Sequence, residues 1–115
     1  MHKIHSFLEL KDIEFHDQSL NSMEFDLMNQ KIMFAIELFD NDLDDYKNLK
    51  LSFSGVRSLH FENFQLEKVT DIEIASFDFK KLDNGFSADL IFLLDFGLAS
   101  FRIEFVFEEF TLKWD

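Results

Sequence analysis

Apolar and polar residues alternate over Phe77–Phe110, and this pattern predicts three consecutive antiparallel strands. The dipeptide Asn84-Gly85 predicts the first turn, because a type I′ hairpin needs positive φ at both central positions. A turn centred there pairs Phe79 with Leu90, Phe77 with Phe92 and Lys80 with Asp89. One face of this meander then carries most of its phenylalanine side chains.

The second turn of the meander is predicted at residues 95–98. A loop of even length places Phe92 opposite Phe101, Leu90 opposite Ile103 and Phe86 opposite Phe107. An odd loop with a glycine bulge would instead place Phe92 opposite Ser100 and would scramble the apolar face. The even loop is therefore the expected one.

An earlier hairpin is indicated by two alternating runs on either side of Asn29-Gln30. The pairs that it predicts are Leu27 with Ile32, Phe25 with Phe34 and Met23 with Ile36. A further strand over residues 49–53 ends at Gly55, and extended chain continues through Phe61. A change of parity at Ala75-Ser76 predicts a β-bulge or a break between two strands.

Two stretches do not fit a simple alternation. The segment Ile4–Phe15 is interpreted as one or two strands with an irregular step, and a short amphipathic helix over Lys3–Leu10 is the alternative. The polar run Asp40–Asn48 predicts a surface loop, and a helix over Asp42–Leu49 is kept as an alternative there.

Together these elements predict a single all-β domain over residues 1–115. The expected architecture is an antiparallel β-sandwich or a partly open barrel of about eight strands, with the three-strand meander at its C-terminal end and room for one short helix. A chain of 115 residues is long enough for one hydrophobic core, and 17 phenylalanines supply ample material for it.

The formal net charge of −12 adds an expectation about partners. Such a field repels nucleic acid and anionic membranes and attracts basic proteins, although solubility alone is a sufficient reason for it. Cysteine is absent, which excludes disulfides and thiolate chemistry. No apolar run approaches the ~20 residues of a membrane span, and no signal-peptide pattern is visible, so a cytoplasmic location is expected.

Candidate catalytic and metal-binding residues are few. His16 and Asp17 can form an acid–base pair, but a turn in which Asp17 caps the following amides is the favoured interpretation. The four histidines match no metal-ligand spacing. The segment Asp40–Asp45 alternates carboxylates as a calcium loop does, but Asp45 and Leu51 stand where an EF-hand needs glycine and glutamate. We therefore expect no enzymatic activity, no metal and no cofactor.

The predicted strand over residues 90–94 is apolar on both faces. A second layer over its outer face is the simplest explanation. Alternatively, Ile91 and Leu93 form a surface that a second copy of the chain covers in a homodimer. Another hypothesis assigns the surplus phenylalanine to the wall of a β-barrel cavity for a small apolar ligand.

Three segments of the chain carry a resemblance to a known group of proteins. They are His16-Asp17-Gln18-Ser19-Leu20, which leads into the first hairpin, the strand end Leu51-Ser-Phe-Ser-Gly55-Val56, and the closing meander rich in Phe and Ile. In these features the chain resembles small acidic bacterial proteins, some of which are grouped with immunity proteins that neutralise polymorphic toxins. The resemblance implies an all-β fold and a binding role, and His16 and Asp17 are the positions that match.

The leading functional hypothesis is a non-enzymatic binding protein whose acidic surface engages a basic protein, as an immunity protein or inhibitor would. Carboxylates around a patch speed the encounter with a basic partner and make it dependent on salt. The predicted partner-binding residues are Asp40, Asp42, Asp44, Asp45 and Tyr46, the last as an aromatic anchor.

Overall fold

A computed structural model of the protein describes residues 7–63, 71–95 and 99–114. The elements in these ranges are α1 (Phe7–Lys11), β1 (Ser19–Asp26), β2 (Lys31–Asp40), β3 (Asp45–Ser54), β4 (Arg57–Glu62), β5 (Ile72–Leu82), β6 (Gly85–Leu94), β7 (Ala99–Phe107) and β8 (Glu109–Trp114). The strands form one antiparallel sheet in the order β4-β7-β6-β5-β1-β2-β3-β8, which is not closed into a barrel. The predicted all-β fold class is confirmed.

The inward face of the sheet is aliphatic and aromatic. Every second residue is buried over 32–38 on β2 and over 49–53 on β3, as expected of strands with one face on a core. The buried residues of the described ranges are all hydrophobic. Phe53 lies among four other rings, whose centres are 4.7–6.0 Å away: Phe34, Phe79, Phe105 and Phe107. Edge-on and tilted ring contacts of this kind add to the free energy of apolar burial.

Two bends allow the sheet to curl around this core. Only Gly55 and Val56 separate β3 from β4, and only Glu108 separates β7 from β8. The two bends lie side by side and are joined by a hydrogen bond of 3.0 Å, which the Glu108 N–H donates to the Ser54 carbonyl. Gly55 has a φ of +65°, and a Cβ there would sit 2.7 Å from Glu108 Oε2, so both the backbone and the close approach require glycine.

The helix α1 packs on the core. Leu10 is fully buried, and the Phe7 ring stacks on the Phe86 ring of β6 with the ring centres 4.9 Å apart. After the helix, the centre of the Phe15 ring lies 4.7 Å from that of Phe77.

Within the described residues, β1 and β5 pair at a single position, Ser19 with Glu73. Two backbone hydrogen bonds extend this contact: the Asp17 N–H donates to the Ile74 carbonyl, and the Ile74 N–H donates to the Gln18 carbonyl. No helix in the described ranges is long and apolar enough to cross a membrane.

The strand interpretation of Ile4–Phe15 is wrong, and the helical alternative is right for residues 7–10. Residues 1–6 lie outside the described ranges. The apolar spacing in this segment is compatible with both structures, and the helix places Leu10 in the core.

The predicted register of β6 on β7 is confirmed. Phe92 pairs with Phe101, Leu90 with Ile103 and Phe86 with Phe107, as an even loop requires. Residues 96–98 of that loop lie outside the described ranges. The irregularity predicted at Ala75-Ser76 is also confirmed, as a shift of register between Ile74 and Ser76.

The predicted register of β5 on β6 is wrong by two residues. Asp83 and Asn84 form the turn, and Gly85 already belongs to β6 with a φ of +128°. The observed pairs are Phe77 with Leu90, Phe79 with Ala88 and Lys80 with Ser87. A shift of two residues leaves each side chain on its predicted face, so the apolar alternation could not distinguish the two registers.

The first hairpin departs from its prediction in the same way. Residues 27–30 form a turn of four residues, stabilised by hydrogen bonds from Asn29 to the Asp26 carboxylate. The observed pairs are Phe25 with Ile32 and Met23 with Phe34. The side chains again keep their predicted faces.

The acidic run Asp40–Asn48 is mostly strand. β2 extends to Asp40 and β3 begins at Asp45, so the turn comprises residues 41–44 alone. The predicted loop is therefore right for residues 41–44 and wrong for the rest of the run, and the helix alternative is wrong. The polar residues lie at the exposed end of the sheet, where strand pairing continues although there is no core to cover.

Candidate functional site

The β2–β3 turn is held by the Asp40 carboxylate. Its Oδ1 accepts hydrogen bonds from the N–H groups of Asp42 (2.9 Å) and Leu43 (3.3 Å). This is an Asx turn, which only Asp and Asn make readily. Asp44 completes the reversal with a φ of +51°, a conformation that Asp adopts more easily than most residues.

A groove of about 550 Å³ lies beside this turn, and we call it the acidic groove. Its apolar lining residues are Ile13, Leu38, Phe39 and Trp114, and its polar ones are Asp12, Glu14, Gln18, Asp40, Asn41, Asp42 and Lys47. Four carboxylates therefore line the groove with one ammonium group, counting the described lining residues. A concave site with an excess of one charge focuses the local potential and attracts ions of the opposite sign.

The ammonium group inside the acidic groove belongs to Lys47. Its Nζ lies 2.5 Å from Asp40 Oδ2 and 5.9 Å from the centre of the Trp114 ring. The hydrogen bond from Lys47 lowers the pKa of the Asp40 carboxyl below its ordinary value. The carboxylate and the indole ring thus share one cation.

Exposed aromatic side chains lie at the same end of the sheet as the acidic groove. Phe39 and Tyr46 pair across β2 and β3, with their rings edge to face and 5.2 Å apart. Tyr46 is 60% exposed, and Trp114 is 46% exposed. Tyr and Trp are the residue types that most often anchor protein interfaces, so their exposure beside a groove is a feature of binding surfaces.

The predicted partner-binding residues lie close together on this hairpin, in two groups. Asp40 and Asp42 line the acidic groove. Asp44, Asp45 and Tyr46 lie beside it, on the turn and at the start of β3. The Asp45 carboxylate accepts a hydrogen bond of 2.7 Å from the Tyr46 N–H, so that it helps to order the first residues of the strand.

Among the lining residues that sequence patterns missed are Asp12, Glu14, Lys47 and Trp114. Asp12 and Glu14 belong to a segment interpreted as strand. Trp114 reaches the groove because β8 pairs with β3, which places it opposite Leu49. One signal for Trp114 was available, since it continues the alternation of Phe110 and Leu112 beyond the end of the core.

A second groove of about 360 Å³ lies on the outer face of β5, β6 and β7. Three of its charged side chains, Asp89, Arg102 and Glu104, are paired with one another. Arg102 donates hydrogen bonds of 2.7 and 2.5 Å to the two oxygens of Asp89, and it lies 2.9 Å from Glu104. The hydrogen bonds from Arg102 lower the pKa of the Asp89 carboxyl. This bidentate arrangement ties neighbouring strands together and indicates a structural role.

Ile91 and Leu93 lie on the same outer face, opposite Arg102 and Ser100 respectively. Both are partly buried. The homodimer hypothesis for this face stays a prediction, as does the hypothesis of an internal cavity for an apolar ligand.

His16 and Asp17 meet in a turn. His16 Nδ1 lies 3.1 Å from Asp17 Oδ2, and both side chains are more than half exposed. Asp17 has a φ of +67°, and this turn conformation brings together two neighbouring side chains that would diverge in a strand. The Asp17 carboxylate thus contacts the imidazole, whereas a cap on the following amides was predicted.

Within residues 7–63, 71–95 and 99–114, no group of three or more His, Asp or Glu side chains is placed to hold a metal ion. Comparison of the chain with protein-family models and with curated proteins finds no match. The geometry of the acidic groove and its hairpin is therefore the basis on which a function can be assigned.

Proposed function

We propose that this chain is a non-enzymatic binding protein whose acidic groove and β2–β3 hairpin engage a basic protein. The observation that supports this most strongly is the mixture of exposed rings and carboxylates at one end of the sheet. Carboxylates attract a basic surface, and aromatic rings then supply contact area with little loss of conformational entropy.

Charge attraction acts first, on the encounter with the partner, and direct contact acts after it. The net charge of −12 raises the encounter rate with a basic protein and makes that rate sensitive to salt. After the encounter, the rings of Phe39, Tyr46 and Trp114 are covered by the partner. Each anchor of this kind contributes roughly 1–3 kcal/mol when it is fully buried. An inhibitor or immunity protein, the role that the resemblance implies, needs only to cover the working surface of its partner.

The test is the recovery of a partner from lysate at low and at physiological salt, followed by titration of the purified partner. We expect a basic protein whose affinity falls as salt rises. Tyr46→Ala should weaken binding by about tenfold or more. The triple variant Asp42→Asn, Asp44→Asn, Asp45→Asn should do the same through the loss of steering and of contacts.

A second triple variant is the matched control: Glu24→Gln, Asp83→Asn, Glu109→Gln. It removes the same charge from exposed positions that do not line the acidic groove. We expect it to weaken binding much less than the hairpin triple does. An acidic partner, an affinity that ignores salt, or an equal loss in the two triple variants would contradict the proposal.

A further inference from the structure

The Lys47 side chain lies in the acidic groove, where a bound cation would lie. The residue lies on the face of β3 that carries Leu49, Leu51 and Phe53, so its side chain enters the open end of the curled sheet. Lys50, on the opposite face of the same strand, is exposed. Lys47 instead brings its ammonium group to Asp40 and to the Trp114 ring.

The place that this ammonium occupies has the chemistry of a cation site open to solvent. A carboxylate lies on one side, an indole ring lies on another, and the acidic groove continues past both toward Asp12 and Glu14. The Lys47 side chain is 40% exposed, so water and other cations can reach it.

We propose that Lys47 is an internal stand-in for an arginine of the basic partner, which displaces it from Asp40 and Trp114 on binding. This inference rests on the proposed function and names the partner side chain that the acidic groove receives. A guanidinium donates two parallel hydrogen bonds to a carboxylate and stacks flat on an indole, whereas an ammonium is a point charge. The exchange therefore favours arginine over the resident lysine.

Displacement of Lys47 has a small energetic cost. An exposed lysine–carboxylate pair contributes little, because water competes for both charges and the four-carbon stem loses rotamer freedom in the pair. The released ammonium also stays close to other lining carboxylates. A stand-in of this kind keeps the carboxylate neutralised until a better ligand arrives.

The experiment measures the affinity of a labelled hexa-arginine peptide for the full chain at low salt. Lys47→Met vacates the position and should raise the affinity about three- to fivefold, the range that an exposed ion pair allows. Lys50→Met is the matched control, because Lys50 carries the same charge on the same strand and does not line the acidic groove. This control should raise the affinity by less than about twofold.

Two further arms test the site itself. Asp40→Asn combined with Lys47→Met should bind hexa-arginine less than about twofold better than Asp40→Asn alone, because residue 40 then carries no charge to be vacated and only the general change of net charge remains. Hexalysine should bind the unmodified chain at least about threefold more weakly than hexa-arginine does. Equal affinities for the two peptides would contradict the assignment of arginine.

Trp114 supplies a second readout, because it is the only tryptophan in the chain. Its emission should change in Lys47→Met and stay unchanged in Lys50→Met, even without peptide. If the unmodified chain binds hexa-arginine but Lys47→Met and Lys50→Met raise its affinity equally, the stand-in is wrong and the proposed function stands. If no form binds hexa-arginine at low salt, both are wrong.

Discussion

Phe53 and Tyr46 lie at opposite ends of β3, seven positions apart on a strand that pairs continuously with β2. Phe53 is fully buried among four other rings, whereas Tyr46 is 60% exposed and packs edge to face on Phe39. The backbone pairs with β2 at both ends, whereas β8 pairs with residues 49–54 only. The two side chains also differ in what covers them. The bends at Gly55 and Glu108 bring β7 onto Phe53, and the other end opens into the acidic groove.

Along this single strand, the residues that stabilise the fold are therefore separate from the residues that we propose for binding. We call the part around Phe53 and Gly55 the inner end, and the part from Asp45 to Lys47 the outer end. Apolar burial at the inner end contributes to the free energy of unfolding. At the outer end the same kinds of contact area stay available to a partner.

The largest effect is expected for Phe53→Ala at the inner end. Truncation of a fully buried ring with four ring neighbours leaves a cavity, and it should lower the free energy of unfolding by about 3–5 kcal/mol. Urea unfolding followed by circular dichroism measures this. Phe53→Leu, which keeps most of the volume, is the control and should lose clearly less. A loss below ~1 kcal/mol for the alanine variant would contradict the claim that the inner end stabilises the fold.

Gly55→Ala should have the next largest effect, because it acts on the bend that covers the inner end. The φ of +65° strains any side chain, and the new Cβ would meet the Glu108 side chain at 2.7–2.8 Å. We expect a loss of about 1–3 kcal/mol in the free energy of unfolding. Glu108→Ala, added to the Gly55→Ala variant, removes the nearest carboxylate contact and should recover part of the lost free energy of unfolding. No recovery would show that the effect comes from backbone strain and from the Cβ at position 108, which this variant keeps and which would lie 2.8 Å from the new side chain.

A pH titration should give a smaller effect at the outer end. Lys47 lowers the pKa of the folded Asp40 carboxyl, so the ion pair's contribution is complete above the ordinary value of 3.8 and is lost as pH falls below it. Asp40→Asn keeps an Asx-type cap and removes the charge. The difference in urea midpoint between the two proteins should be largest near neutral pH and should shrink as pH falls below 3.8 and through the lowered pKa of the folded carboxyl. A difference that grows in acid would contradict this sign.

The smallest change in stability is expected for Tyr46→Ala. The ring is mostly exposed, so the free energy of unfolding should change by about 0.5 kcal/mol or less. The same variant should lose about tenfold or more in affinity for a basic partner. Thermal unfolding and titration of one preparation measure both quantities. A variant that loses stability and keeps affinity would reverse the assignment of the two ends.

The period-two alternation explains which parts of the fold could be predicted from the sequence. It places side chains on the correct face throughout the closing meander, and with an even loop it gives the correct pairing of Phe92 with Phe101. The alternation cannot distinguish two registers that differ by two residues. The sequence therefore predicts Phe77 opposite Phe92, although Phe77 lies opposite Leu90. Only the turn residues could distinguish the two registers. Asn84-Gly85 predicts the wrong one, because the turn is formed by Asp83 and Asn84.

The acidic groove could be predicted only in part, for a different reason. Asp40 and Asp42 stood out because they lie in one polar run. Asp12 and Trp114 are far apart in the sequence and line the groove together, Asp12 in the segment that follows α1 and Trp114 on β8, which pairs with β3. Lys47 looked like one more polar residue in a loop, and its role depends on the strand that turns its side chain inward.

The pairing of β3 with β8 also has a consequence for the order in which the molecule is made. It joins strands from the two halves of the chain, so one edge of β3 waits for its hydrogen-bond partner while the ribosome synthesises everything between them. Sheets built from such distant pairs fold slowly, and their unpaired strands are exposed during synthesis. Trp114 arrives with β8, so the acidic groove is not complete before β8 has docked.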